Sequence, residues 1–308
     1  MGRDRRDPYP RPLARHRPTP VTLDVSMHPP SATVGVMPAT RNAPHVPVAV
    51  IGGGLQGSCI ALELARRGRT VALVDRDPTP MNRASRRNEG KIHTGLLYAA
   101  DPTFASAELQ LRGSLSFRRL LRTWLGPDID SLPRSTRFHS VVAEDSIVEA
   151  DGLASHYARV EDAWREVLAE DDRHDYLGER PEWLARRLDP GELRRHYPSS
   201  DVAAAFETAE LAIDTDYLAN AVVQALHSND RIELLMGRTV SEVRREAGRF
   251  RLLGTCPEGS WTITADKVVN ASWDGRFALD QSIGLPLAPG WLHRLKYRVI
   301  VELPPQLR

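Results

Sequence analysis

Val48-Ala49-Val50-Ile51-Gly52-Gly53-Gly54-Leu55-Gln56-Gly57 is the stretch on which the fold turns. Four apolar residues in a row suit a central strand of a parallel sheet, buried on both faces. The glycines that follow form G-x-G-x-x-G at Gly52, Gly54 and Gly57. In such a motif the first glycine permits a tight strand-to-helix turn and the second lets the backbone approach a pyrophosphate. The third lets the helix pack closely on the strand. Gly53, Leu55 and Gln56 complete the turn. The pyrophosphate would rest on unpaired N–H groups at the helix N-terminus. Leu55 to Arg67 reads as that helix, closed by Gly68, and Thr70 to Val74 as a second strand ending at Asp75 and Arg76. An acidic group at that strand end accepts hydrogen bonds from ribose hydroxyls and repels the extra phosphate of NADP. A glycine-rich turn in another α/β fold would lack this combination of buried strand, helix and acidic strand end.

Around this βαβ unit the composition is that of an ordinary globular protein. The chain has 308 residues, 41 Lys+Arg against 40 Asp+Glu, and a formal net charge of +1. Its length suggests roughly two domains. The near-neutral balance argues against a general nucleic-acid partner, which would call for a basic face. No apolar run approaches the ~18 residues of a transmembrane helix. Two cysteines, Cys59 and Cys256, without a CxxC pair, exclude a disulfide scaffold and a cysteine zinc site. They fit a cytoplasmic location. Asp171-Asp172 with His174 has no metal-ligand spacing, and no metal is expected. Residues 1–47 hold seven arginines, three aspartates and ten of the 23 prolines. Residues 1–46 therefore read as a disordered Arg/Pro-rich tail. Arg5-Arg6 prompts a targeting reading, but no continuous apolar region follows, and Asp4 and Asp7 fit a transit peptide poorly. A solvated tail, or a start at Met27 or Met37, is the simpler reading.

Further along, helices are predicted over 102–125, Leu153–Glu170, Pro181–Leu188 and Asp216–His227, from apolar spacing near the helical period. Strands are predicted at Arg137–Val142, Ala203–Thr208, about 231–236, 239–244, 249–254 and 261–264, Lys267–Asn270 and Tyr297–Glu302. The fingerprint and the Val268–Ala271 strand must share one sheet although helices and strands intervene. The expected architecture is thus α/β: a discontinuous Rossmann-like cofactor domain from 47–100 and 201–285. A second, α+β substrate domain takes 101–200 and 286–308.

The fingerprint alone does not choose between FAD and NAD; four passages, taken together, point to a family. The first is the fingerprint. The second is Ser85-Arg86-Arg87-Asn88-Glu89-Gly90-Lys91-Ile92-His93-Thr94-Gly95-Leu96-Leu97-Tyr98. The third is Glu210-Leu211-Ala212-Ile213-Asp214, then a helix and Gly237-Arg238-Thr239-Val240. The fourth is Ala265-Asp266-Lys267-Val268-Val269-Asn270-Ala271-Ser272-Trp273. In this order they resemble the FAD-dependent oxidoreductases of the D-amino-acid oxidase / glycerol-3-phosphate dehydrogenase superfamily, and Ile92–Tyr98 has an L-2-hydroxyglutarate oxidase-like form. The resemblance implies FAD. It places Gly52, Gly54, Gly57 and Asp75 on the ADP half, and Ser85, Asn88, Gly90 and Lys91 along the pyrophosphate-to-flavin stretch. Val240 would touch adenine through its backbone, and Ala271 the dinucleotide. Ser272-Trp273-Asp274 departs from the Ala-Gly-x-Trp of the pattern. Relatives also continue past the point matching Arg308, so the substrate domain is expected to be incomplete, and the chain cofactor-poor and inactive by itself.

The implied reaction takes a hydride from a C–H next to an amine or hydroxyl of a small substrate and delivers it to flavin N5; the electron acceptor stays open. His93 is read in three ways: general base, contact to cofactor or backbone, or covalent flavin tether. Tyr98 either orients substrate or packs in the core. Arg137 and Arg298, on predicted strands, are each a carboxylate-binding fork or a surface residue. The alternatives to an FAD enzyme are a non-catalytic or degenerate dinucleotide-binding flavoprotein fragment and an NAD-dependent dehydrogenase.

Overall fold

A computed structural model describes residues 43–287. Most of the tail, and Tyr297–Glu302 with Arg298, lie outside the described residues. In chain order the elements are β1 (His45–Ile51), α1 (Leu55–Arg66), β2 (Val71–Val74), β3 (Lys91–Ile92), α2 (Ala105–Leu125) and β4 (Phe138–Ala143). Next come α3 (Ala150–Glu170), β5 (Ala185–Arg187), α4 (Pro190–His196), β6 (Val202–Thr208), β7 (Leu211–Ala212) and α5 (Thr215–His227). The last are β8 (Ile232–Leu235), β9 (Thr239–Glu246), β10 (Arg249–Cys256), β11 (Gly259–Asn270) and α6 (Arg276–Ser282).

Six strands form one sheet in the order β8-β2-β1-β11-β10-β9. Four are mutually parallel, β10 runs antiparallel to β11, and β9 runs antiparallel to β10. The apolar runs of β1 and β2 are buried on both faces, as expected for strands covered above and below. Val48, Val50, Val71 and Leu73 face the layer of α1, α5 and α2. Ala49, Ile51, Ala72 and Val74 face the opposite side with Val243, Leu252, Ile263 and Leu279. Val50 pairs with Val269, so the fingerprint strand and the late strand do share a sheet. A second sheet, antiparallel β4-β6-β5, packs with α2 and α3 around Tyr157, Trp164 and Phe206. A two-stranded ribbon, β3 with β7, completes the strand pairing.

Four expectations need correction. Pro181–Leu188 is not helical: Ala185–Arg187 pairs with Thr208, Glu207 and Phe206 as β5. The helix starts later, at Pro190, where Asp189 and Glu192 close a reciprocal capping box. The segments expected at 261–264 and Lys267–Asn270 are one continuous strand, β11, through Ala265-Asp266. Its Asp266 is half-exposed and reaches His45 and Arg249, so an acidic residue sits there without being buried. Strand 202–208 pairs with β4 and β5 rather than with the large sheet. Order also begins before residue 47: Val46 is buried in β1 and pairs with Ala265.

Candidate functional site

The fingerprint occupies the C-terminal end of β1, between β2 and β11, where ligands of open α/β sheets bind. Gly52 has φ of +105°, and a Cβ there would meet the Ala271 carbonyl oxygen at 2.4 Å. At Gly57 a Cβ would lie 1.8 Å from the Gly52 oxygen. Both positions therefore need glycine, and α1 is drawn tightly onto the strand end. Ala271 donates its N–H to Ile51 at 2.8 Å, which fixes the β11 end against the same turn.

Leu55, Gln56 and Gly57 form the first turn of α1. The Leu55 N–H donates to Ser85 Oγ at 2.8 Å. The Gln56 and Gly57 N–H groups have no hydrogen-bond partner among the described residues. Such unpaired amides, at the positive end of the helix dipole, suit an anionic group. Asp75 shapes the adjoining wall. Its Oδ2 accepts the Gly53 N–H at 2.5 Å and its Oδ1 the Asp77 N–H at 2.8 Å. Each oxygen keeps lone-pair capacity for a ribose hydroxyl. Gly237 and Arg238 donate their N–H groups to the carbonyls of Asp77 and Asp75, so β9 starts at Thr239, directly after this junction, with Val240 as its second residue. Arg76 grips Asp274 through one guanidinium nitrogen, at 2.9 and 3.2 Å from the two carboxylate oxygens. This brings the departing Ser272-Trp273-Asp274 segment to the end of β2.

The 85–90 segment is organised by Asn88, whose side chain donates to the Ala84 and Ser85 carbonyls and accepts the Gly90 N–H. Arg86 ties it to Asp216 and Asn220 of α5. Gly90 has φ of +66°, and a Cβ would meet the Ile213 oxygen at 2.2 Å. The chain then enters the ribbon. Lys91 Nζ lies 3.3 Å and His93 Nδ1 3.5 Å from the same oxygen, Oε2, of Glu210. Thr94 donates its N–H and its hydroxyl to Oε1. Lys91 also sits 4.5 Å over the Phe138 ring. Glu210 is 3% exposed. Burial raises its pKa, but the His93 imidazole, the Thr94 N–H and the Lys91 ammonium outweigh that and hold the carboxyl below the usual range. Tyr176 locks the ribbon from outside: its hydroxyl donates to the Ile92 carbonyl and accepts the Leu211 N–H.

The sequence-derived set thus falls into two groups. Gly52, Gly53, Gly54, Leu55, Gln56, Gly57, Asp75, Ser85 and Ala271 converge on the β1–α1 turn. Lys91 and His93 converge on Glu210. Tyr98 is half-buried in a 3-10 turn and packs against the core. Arg137 stacks 4.9 Å over Trp183 and reaches Glu207. Cys59 in α1 has its thiol pushed up to about 12 by burial, as befits a packing residue. Sequence reasoning did not single out Glu210 or Tyr176. The ribbon pairs residues more than a hundred positions apart, and no local spacing signals that.

Residues 47–301 match the DAO family, described as FAD dependent oxidoreductase. The chain belongs to this family. Its cofactor is therefore FAD, and the glycine turn, the unpaired amides of α1 and Asp75 fit the ADP half of that group. A solved glycine oxidase from Geobacillus kaustophilus matches with a TM-score of 0.57 at 24% identity, over 80% of this chain and 60% of that chain. An L-alpha-glycerophosphate oxidase from Mycoplasma pneumoniae, solved with FAD bound, matches with a TM-score of 0.51 at 18% identity, over 74% and 54%. The tRNA 5-methylaminomethyl-2-thiouridine biosynthesis bifunctional protein MnmC of Chromohalobacter salexigens is 27% identical, over 82% of this DAO-family chain and 38% of its own length. The chain spans between 38% and 60% of these relatives. Among the described residues, no helix is long and apolar enough to cross a membrane, and no group of three or more metal-binding side chains forms.

Proposed function

We propose that this DAO-family chain carries the FAD-binding half of an oxidase or dehydrogenase acting on a small amine or 2-hydroxy acid. The observation that carries the reading is the glycine turn at Gly52–Gly54 and Gly57, with unpaired amides beside it and Asp75 at the neighbouring strand end. The chemistry that bound FAD would supply is a hydride acceptor, at its N5, for the C–H next to the amine or hydroxyl. The protein's own part is to hold and orient. The amides of Gln56 and Gly57 receive the pyrophosphate beside Leu55, Asp75 and the adjoining Arg76 the adenosine end, with the Val240 backbone by the adenine and Ala271 along the dinucleotide. Ser85, Asn88, Gly90 and Lys91 line the way towards the flavin. His93 accepts the proton of the substrate hydroxyl or amine at its Nε2 atom, with Tyr98 beside the substrate path and Arg298 holding a carboxylate. In this reading the cofactor domain comprises 47–100 and 209–285, and the substrate domain 101–208 with the chain beyond 285. The two free cysteines suit a reducing cytoplasm.

The Ser272-Trp273-Asp274 segment favours a second reading, a flavoprotein that binds without turnover. Trp273, two residues after Ala271, is 77% exposed with φ of +53°. One experiment decides between them. Purified protein supplemented with FAD is mixed anaerobically with a panel of small amines and 2-hydroxy acids, and the visible flavin absorption is followed. Bleaching by a member of the panel supports the enzyme. A stable yellow protein that no substrate bleaches supports the second reading, and a protein that takes up no FAD overturns both.

A further inference from the structure

The β3–β7 ribbon holds a buried carboxylate for which the reading above has no use. Antiparallel pairing sets Lys91 opposite Ala212 and Ile92 opposite Leu211, and continuing that register places His93 opposite Glu210. The Tyr176 hydroxyl bonds both strands at the adjacent pair, so the facing is rigid. Glu210 Oε1 is taken by Thr94, leaving Oε2 to face Lys91 Nζ and His93 Nδ1. Nδ1 is buried and makes no hydrogen bond, and Glu210 Oε2 at 3.5 Å faces it as a charged neighbour.

We propose that Glu210 is a positioning residue that fixes the tautomer of His93, keeping the ring proton on Nδ1 and the lone pair on Nε2. A neutral imidazole carries one N–H and one lone pair. A lone pair at Nδ1 would point electron density at an ionised carboxylate in a site with little water to screen it, whereas an N–H there is attracted to it. The preference is electrostatic and needs no short hydrogen bond. Charge around the group is simple. From β3 it faces Lys91 and His93. Tyr176, and Tyr157 of α3, are buried phenols whose pKa values are raised by burial, so they stay neutral. Lys91 offsets the carboxylate charge, so the ring need not be protonated for Glu210 to be satisfied. The proposal deepens the functional reading, because a proton acceptor at Nε2 is what His93 needs there. The orientation itself rests on the ribbon alone.

The test is a proton–nitrogen correlation spectrum of the full chain with nitrogen-labelled histidine, in FAD-supplemented and flavin-free samples. His93 is assigned by the signals lost in His93→Asn. The wild-type protein is expected to show Nδ1 protonated and Nε2 bare near neutral pH, in both samples. Glu210→Gln keeps an acceptor for Thr94 and removes the charge, so the Nδ1–H form should lose its dominance. Glu210→Asp should retain it. A wild-type His93 with its proton on Nε2 overturns the proposal, even if the glutamine variant does not fold. So does an unchanged Nδ1–H form in folded Glu210→Gln. Failure of FAD binding would sink the functional reading alone, since the tautomer is read equally well without flavin.

Discussion

Gly57 leaves no room for one methyl group. A Cβ there would meet the Gly52 carbonyl oxygen at 1.8 Å, and that oxygen belongs to backbone locked between β2 and β11. Gly57→Ala is therefore expected to sit at the upper end of overpacking costs, about 3 kcal/mol. A scan should show that as a melting temperature roughly 6–12 °C lower; an unchanged transition would mean that α1 slides away without penalty. Asp75 acts through hydrogen bonds rather than packing. Asp75→Ala should weaken FAD binding by about 1.5–3 kcal/mol, the range for a charge-assisted bond. Titration of apoprotein with FAD reads this directly, and an unchanged dissociation constant would remove Asp75 from the site. Both residues were legible in the sequence because their signal is local: fixed spacing within 30 residues, between strands that are apolar throughout. Glu210 was legible only as part of a family passage. What makes it matter, its closeness to Lys91 and His93, is created by strand pairing.

At the scale of elements, two-residue strands such as β3 and β7 are too short to hold together by ladder bonds alone. The Tyr176 hydroxyl supplies the missing connection, donating to Ile92 and accepting from Leu211. Tyr176→Phe keeps the ring packed on Trp164 but leaves a buried carbonyl and amide unsatisfied. The expected cost is about 1–3 kcal/mol. Hydrogen exchange at the Leu211 amide should quicken by the corresponding factor, and continued protection there would contradict the role given to Tyr176. The misread helix at Pro181–Leu188 has the same origin as the missed ribbon. Ala185, Arg186 and Arg187 favour helix locally, yet pairing with β6 overrides that preference. The helix signal lay just downstream, in Asp189-Pro190-Gly191-Glu192, where cap, first-turn proline and reciprocal glutamate coincide. The helices α1, α2 and α5 were readable to within three residues because each carries an apolar stripe of its own.

For the molecule as a whole, carboxylates with depressed pKa values, Asp77 and the buried Glu210 among them, shape the response to acid. Asp77 is held below the ordinary range by the Arg83 guanidinium, and Glu210 is held there by its cationic and N–H neighbours against the effect of burial. A carboxylate whose folded pKa is depressed contributes stability above its unfolded pKa and loses it as pH falls through the folded value. Thermal stability should therefore be level near neutrality and decline progressively once pH drops below about 4.5. Glu210→Gln should shed part of that slope, and equal slopes in variant and wild type would show that the carboxylate is not coupled to folding. The sheet has a further consequence, one of timing. β1 joins β2 early, but its other neighbour, β11, lies far along the chain: His45 partners Thr264, a separation of 219 residues. At ribosomal speeds of about 5–20 residues per second, that distance takes roughly 10–45 s to synthesise. Throughout that interval the apolar edge of Val48–Ile51 has no partner of its own, and an unpaired strand edge is a template for any other chain. Soluble yield on overexpression is therefore expected to rise with added holding chaperone, and a yield indifferent to it would show that this edge is not exposed for long.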